Sequence, residues 1–158
     1  MNYSVQVDGN LITLTWFGLP SVEGVKQLEQ AFEQVTLTQR RKFAFVTLIH
    51  PQATPEKAPP EVRNGVAKLL SRFAHRLAGT VVIYEAPGFK AAATRTIIAT
   101  INLLSRSRFP SEVHSQLDRG VAWIAQQLGP DAPSDAESRI HAMLAARSTG
   151  VASSEARP

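Results

Sequence analysis

The sequence predicts an α/β protein: a mixed β-sheet with four helices packed against it, plus a short C-terminal helical extension. Three observations lead there. Two alternating runs around an Asp-Gly turn open the chain, near-continuous apolar runs of strand length follow, and amphipathic helical stretches separate them. The order β-β-α-β-α-β-α-(β)-α implies a mixed sheet with helices against it. At 158 residues, 44% hydrophobic and 19% charged, the chain suits one globular domain with its own core. It has no cysteine, which excludes disulfide frameworks, thiolate nucleophiles and Cys-ligated metal.

Tyr3 to Val7 alternates, meets Asp8-Gly9-Asn10, and resumes from Leu11 to Phe17, the pattern of an antiparallel hairpin. Gly18 and Pro20 end the second strand. Ser21 is a natural N-cap with Glu23 in the first turn, and Val25, Leu28, Phe32 and Val35 recur at helical spacing, predicting a helix over 22–38. Lys42 to Ile49 reads as a central strand covered on both faces. His50-Pro51 stops it, and four prolines make residues 50–60 an extended loop. Val62, Val66, Leu69, Leu70, Phe73 and Leu77 fall on one arc of a helix over 61–77. Thr80 to Tyr84 is a second buried-type strand, followed by a helix over 89–106 with a small-residue start at Ala91, Ala92 and Ala93.

Phe109-Pro110 breaks that helix, and Ser111 to His114 fits a short edge strand. Ser115 with Asp118 resembles a capping box for a helix that carries Leu117, Val121, Ile124 and Leu128 and ends at Gly129-Pro130. The expected organisation is a domain over 1–130, a short amphipathic helix over 131–147 carrying Ile140, Met143 and Leu144, and a disordered polar tail over 148–158.

Charge is segregated. Residues 40–108 carry twelve basic and three acidic side chains, whereas the segments on either side are net acidic. Lys68, Arg72, His75 and Arg76 fall on the polar face of the 61–77 helix, which fits an electropositive strip for an acidic protein partner and equally the solvated side of an amphipathic helix. Gly88 with the free N–H groups after it, flanked by Lys90 and Arg95, is the candidate site for a small anion; a tight turn with close helix packing is the alternative. No helix-turn-helix pattern or aromatic-basic interleaving points to nucleic acid.

His50, His75, His114 and His141 sit on separate elements without metal-ligand spacing, and no nucleophile elbow or phosphate-binding glycine loop is present. An enzyme would require Glu85 and a histidine to converge. No cofactor and no metal is expected. No apolar run reaches bilayer-spanning length and no signal peptide opens the chain, so the expected location is cytoplasmic.

The opening hairpin, the strand FAFVTLI leading into a helix, the strand GTVVIYEA followed by Gly88-Phe89-Lys90-Ala91-Ala92-Ala93-Thr94-Arg95, and a closing helix with Trp123 together resemble the STAS domain, especially its SpoIIAA-like group, over about residues 3–129. The resemblance implies a cytoplasmic, non-enzymatic, bacterial-type signalling module that binds a protein partner near the loop after the third strand and the helix following it. The Asp-Ser-Ser-Gly-like phosphoacceptor motif of that family is missing, and Thr54 is the only hydroxyl residue between Thr47 and Ser71. The expected partner surface is therefore Thr54, Lys57, Arg63, Lys68, Arg72 and Arg76, on loop 50–60 and the basic helix face. Self-association through the small-residue face of helix 89–106 is a further expectation. The alternative function is a carrier of a nucleotide or lipid, using the Gly88 helix start and a pocket under the proline-rich loop.

Overall fold

A computed structural model describes residues 2–104 and 108–155. Five strands form one sheet in the order β1 (Tyr3–Asp8), β2 (Leu11–Trp16), β3 (Phe43–Ile49), β4 (Leu77–Tyr84) and β5 (Ser111–His114). β1 and β2 are antiparallel, paired from Tyr3 opposite Trp16 to Asp8 opposite Leu11; every later pairing is parallel. The hairpin turns on Gly9, whose φ of 59° is a conformation glycine adopts without a Cβ penalty. Asn10 beside it is buried. Its side-chain amide donates to the carbonyls of Lys42 (2.9 Å) and Asp131 (3.0 Å), tying the turn to the start of β3.

From β2 onward each strand lies beside the one before it, always advancing in the same direction. Right-handed crossovers in such a sheet place every connecting helix on the same face. That face carries α1 (Val22–Thr38), α2 (Pro60–Arg72) and α3 (Phe89–Leu104). Its core joins Ile12, Leu14 and Trp16 of β2 and Phe43 and Phe45 of β3 to Leu28, Phe32 and Val35 of α1. Phe32 is its centre, in edge-to-face contact with Phe43, Phe45 and Phe73 at centroid separations of 5.0–5.5 Å. The opposite face is covered by α4 (Leu117–Leu128) and α5 (Ala136–Glu155), whose Val121, Ile124, Ile140, Met143 and Leu144 pack on Leu11, Ala44, Val46, Val81 and Ile83.

Five helices therefore surround the sheet, not four and an appendage. Ile140 is fully buried, and α5 continues to Glu155, beyond the expected end at 147. No proline interrupts 148–155, and the small polar residues read there as a tail are compatible with a helix. Residues 156–158 of that expected tail, and 105 and 106 of the expected 89–106 helix, lie outside the described residues. Helix α2 ends at Arg72, short of the expected 77: a 3₁₀ turn over Ala74–Arg76 follows, and Leu77 opens β4. A buried leucine satisfies the helical arc and the strand alike, so periodicity could not separate them. Ser21 caps α1 as expected, accepting from the Gly24 N–H at 3.2 Å. Ser115 does not cap α4; the residue before the first turn is Gln116, without a side-chain bond.

Candidate functional site

The three crossover loops on the α1–α3 side, residues 17–21, 50–59 and 85–88, gather where the parallel strands end, the edge at which α/β sheets present their ligand sites. The proline-rich loop folds back over this edge. Its Ala53 is fully buried, the Thr54 N–H donates to the Gly18 carbonyl at 3.3 Å, and a 3₁₀ turn over Pro55–Lys57 leads into α2. The Lys90 ammonium, at the start of α3, donates to the Pro51 carbonyl at 3.1 Å. The loop is thus held from both sides.

Beneath it lies a cavity between the sheet and the helices α2 and α3. Its volume is about 90 Å³, and about 760 Å³ when the adjoining open space is included. That is several times the room one water needs. Its floor is the sheet row by row: Phe45, Thr80 and Ser111 at one end, Leu14, Thr47 and Val82 in the middle, Trp16 and Ile49 under the loop. Phe45 to Ile49 spans about 13 Å along an extended strand. The roof includes Val62 and Val66 of α2 and Ile97, Ile98 and Ile101 of α3. These three isoleucines are only half-buried. The stripe that periodicity assigns to a packed core instead lines the cavity, with only Ile101 packed against the core beside it, because the backbone of α3 approaches α2 and the Pro55–Lys57 turn rather than the strands below.

Polar groups sit at both ends of this apolar slot and differ in kind. At the far end Thr80 donates to the Ser111 hydroxyl (3.0 Å) and Asn102 donates to the same oxygen (3.0 Å), so that cluster is satisfied within itself. Near the loop end, Thr94 is fully buried and its hydroxyl has no partner among the described residues. Thr96 and Thr100 on the same helix donate to the carbonyls four residues back, as helical threonines do; Thr94 does not. Arg63 is half-buried and is the cavity's sole charged lining residue among those described, and its guanidinium makes no hydrogen bond or ion pair among them. Among the described residues the hydroxyls of Thr13, Thr15 and Tyr84 are also buried without a partner, but none of them lines the cavity.

The residues expected to form a basic docking strip do different jobs. Arg72 spans to α1, with Glu29 at 3.4 Å and Glu33 at 3.2 Å, and its guanidinium lies over Phe73. Arg76 donates to the carbonyls of Thr36, Gln39 and Arg41, at the C-terminal end of α1 where orphan carbonyls need donors. Arg63 turns to the cavity. Lys57 and Lys68 are exposed, and Thr54 is half-buried. The six positions therefore differ in what they touch, with Lys57, Lys68 and Arg72 the exposed ones. At the expected anion site Gly88 has φ 66° and open space around it, Arg95 is exposed, and Lys90 is engaged with the loop. Ala92 is exposed and Ala93 half-buried, so these two do not serve close packing on the sheet.

His50 and Glu85 do not hydrogen-bond each other; His50 Nδ1 accepts from the Gln52 N–H at 3.2 Å and its ring lies 6.1 Å from that of Phe17. Among the described residues no three His, Asp or Glu side chains gather as a metal cluster, and no helix is long and apolar enough to cross a membrane. Arg63 and Thr94 as cavity groups, Arg76 as a helix cap and Asn10 as a tie were not legible as such from spacing. Each depends on an element distant in sequence. Comparison with protein-family models, with curated proteins and with solved structures finds no match for this chain.

Proposed function

We propose that this chain is a non-enzymatic binding module that takes up a small, largely apolar molecule between its sheet and the helices α2 and α3, beneath the proline-rich loop. The observation that carries the reading is the cavity: an apolar slot the length of three sheet rows, roofed by isoleucines that stay half-exposed. A void of this kind forfeits packing energy unless something occupies it. The STAS-like resemblance belongs to the same reading, since an antiparallel hairpin followed by parallel β-α repeats is the element order on which it rests. Loop 50–59 is both the roof of the cavity and part of the surface expected to meet a partner, so occupancy and partner binding would share one element.

The test is uptake of 1-octanol by the full chain of a Trp123→Phe variant, followed by the emission of Trp16, which lines the cavity, and by thermal melting. Saturable binding with a raised melting temperature is expected. Ile98→Trp, which fills the roof, should abolish it while the protein stays folded. A chain that takes up no octanol, or an Ile98→Trp variant that binds it equally well, counts against the reading.

A second reading, a protein partner on loop 50–60 and α2, retains Thr54, Lys57 and Lys68. Lys57 and Lys68 are exposed and form no ion pair among the described residues. Reversing both to Glu should cost little stability and, on this reading, weaken capture of an acidic partner. Unchanged capture would remove it.

A further inference from the structure

The geometry points to a single-chain aliphatic ligand with an anionic head, its tail in the slot and its head on Arg63. The inference rests on the cavity reading and adds the ligand's charge and orientation. Helices α2 and α3 both begin at the loop end of the sheet, because each follows a parallel strand and runs back along it. Arg63 is the fourth residue of α2 and Thr94 the sixth of α3, which places both within the first two turns. The Arg63 guanidinium and the unpartnered Thr94 hydroxyl therefore lie toward the same end of the cavity, the loop end. The groups at the other end are already bonded to one another.

A half-buried arginine beside apolar walls, whose guanidinium has no carboxylate to pair with among the described residues, favours an anion that supplies both charge and two acceptor oxygens in its plane. The Thr94 hydroxyl, buried and unpartnered, is a further donor for that head. The wall between is mostly Val, Leu and Ile, with the Thr47 hydroxyl its one polar group among the described residues, and so suits a methylene chain. Among the described residues no acidic side chain lines the cavity, so nothing there would compensate a cationic head.

The full chain would be titrated with octanoate, 1-octanol and octylammonium, which share one tail and differ only in the head. The expected order is octanoate tightest, octanol weaker by about tenfold, and octylammonium weakest. Arg63→Gln should erase the preference for octanoate over octanol and leave octanol binding near its original level, whereas Arg63→Lys retains part of the preference. Octanol bound as tightly as octanoate by the wild-type chain, or an Arg63→Gln variant that weakens both equally, overturns the anionic head while leaving the cavity reading in place. Failure of all three compounds to bind overturns both. The wild-type comparison decides the matter even if Arg63→Gln does not fold.

Discussion

Arg76 and Lys68 fall on the same polar side of the predicted 61–77 helix, yet their surroundings differ completely. Lys68 is exposed without an ion pair among the described residues, whereas Arg76 is half-buried and holds three backbone carbonyls at the end of α1. A helical wheel sorts residues by direction and cannot see what another helix brings alongside, so these two looked alike. Arg76→Ala should lower stability by about 1.5–3 kcal/mol, because charged donors leave otherwise unpaired carbonyls behind. Lys68→Ala should stay within about 0.5 kcal/mol of the parent. Urea unfolding of the two variants checks this, and equal midpoints would show that the Arg76 contacts do not stabilise the chain. Gly24 carries a second residue-scale prediction. It sits inside α1, where glycine weakens a helix, and a Cβ there would lie 2.5 Å from Cη2 of Trp16. Gly24→Ala should therefore cost about 1–3 kcal/mol despite the better helix propensity. It should also shift the Trp16 emission. A more stable variant with unchanged emission would show that the ring has room to move.

Among the elements, the hairpin, α1, β3, β5 and α4 were legible because their patterns are local: a turn dipeptide for the hairpin, a cap and a stripe for α1, strand-length runs for β3 and β5, and an apolar stripe alone for α4. The cavity was not. Periodicity identifies Ile97, Ile98 and Ile101 as one apolar face, but whether that face meets the sheet depends on where α3 rests, and α3 rests on α2 and the 3₁₀ turn. The proline-rich loop was recognisable as too long for a plain connection. Its attachment through Lys90 was not, since the two ends of that bond are 39 positions apart. This attachment predicts a local effect. The Lys90–Pro51 bond is exposed, so Lys90→Ala should leave the melting temperature nearly unchanged while loosening the roof. Limited trypsin digestion should then cut faster after Lys57, which lies in the 3₁₀ turn of that loop. Cleavage at the wild-type rate would mean that the loop is held by Ala53 and the Thr54–Gly18 bond alone.

At the scale of the whole molecule, the one-way advance of the parallel strands decides what the C-terminal region must do. All three crossover helices occupy one face, so the strand residues pointing the other way have only the chain beyond β5 to cover them. α4 covers β3 and β4; α5 covers β1 and β2, sealing Leu11 with Ile140, Met143 and Leu144. The Arg139 guanidinium adds a bond to Asp135 (2.8 Å) and a longer contact to Asp8 (3.5 Å) at the hairpin, both at the surface and worth little. The apolar seal dominates. Burying three large side chains is worth roughly 4–9 kcal/mol, an upper bound that is comparable with the whole stability of an ordinary domain at about 5–15 kcal/mol. A chain stopped after Pro133 should therefore unfold, or aggregate through the exposed face of β1 and β2, and not behave as the same domain lacking an arm. Circular dichroism and urea titration of residues 1–133 against the full chain test this directly. A truncated chain with the full chain's unfolding midpoint would make α5 an appendage and leave the second sheet face needing another cover.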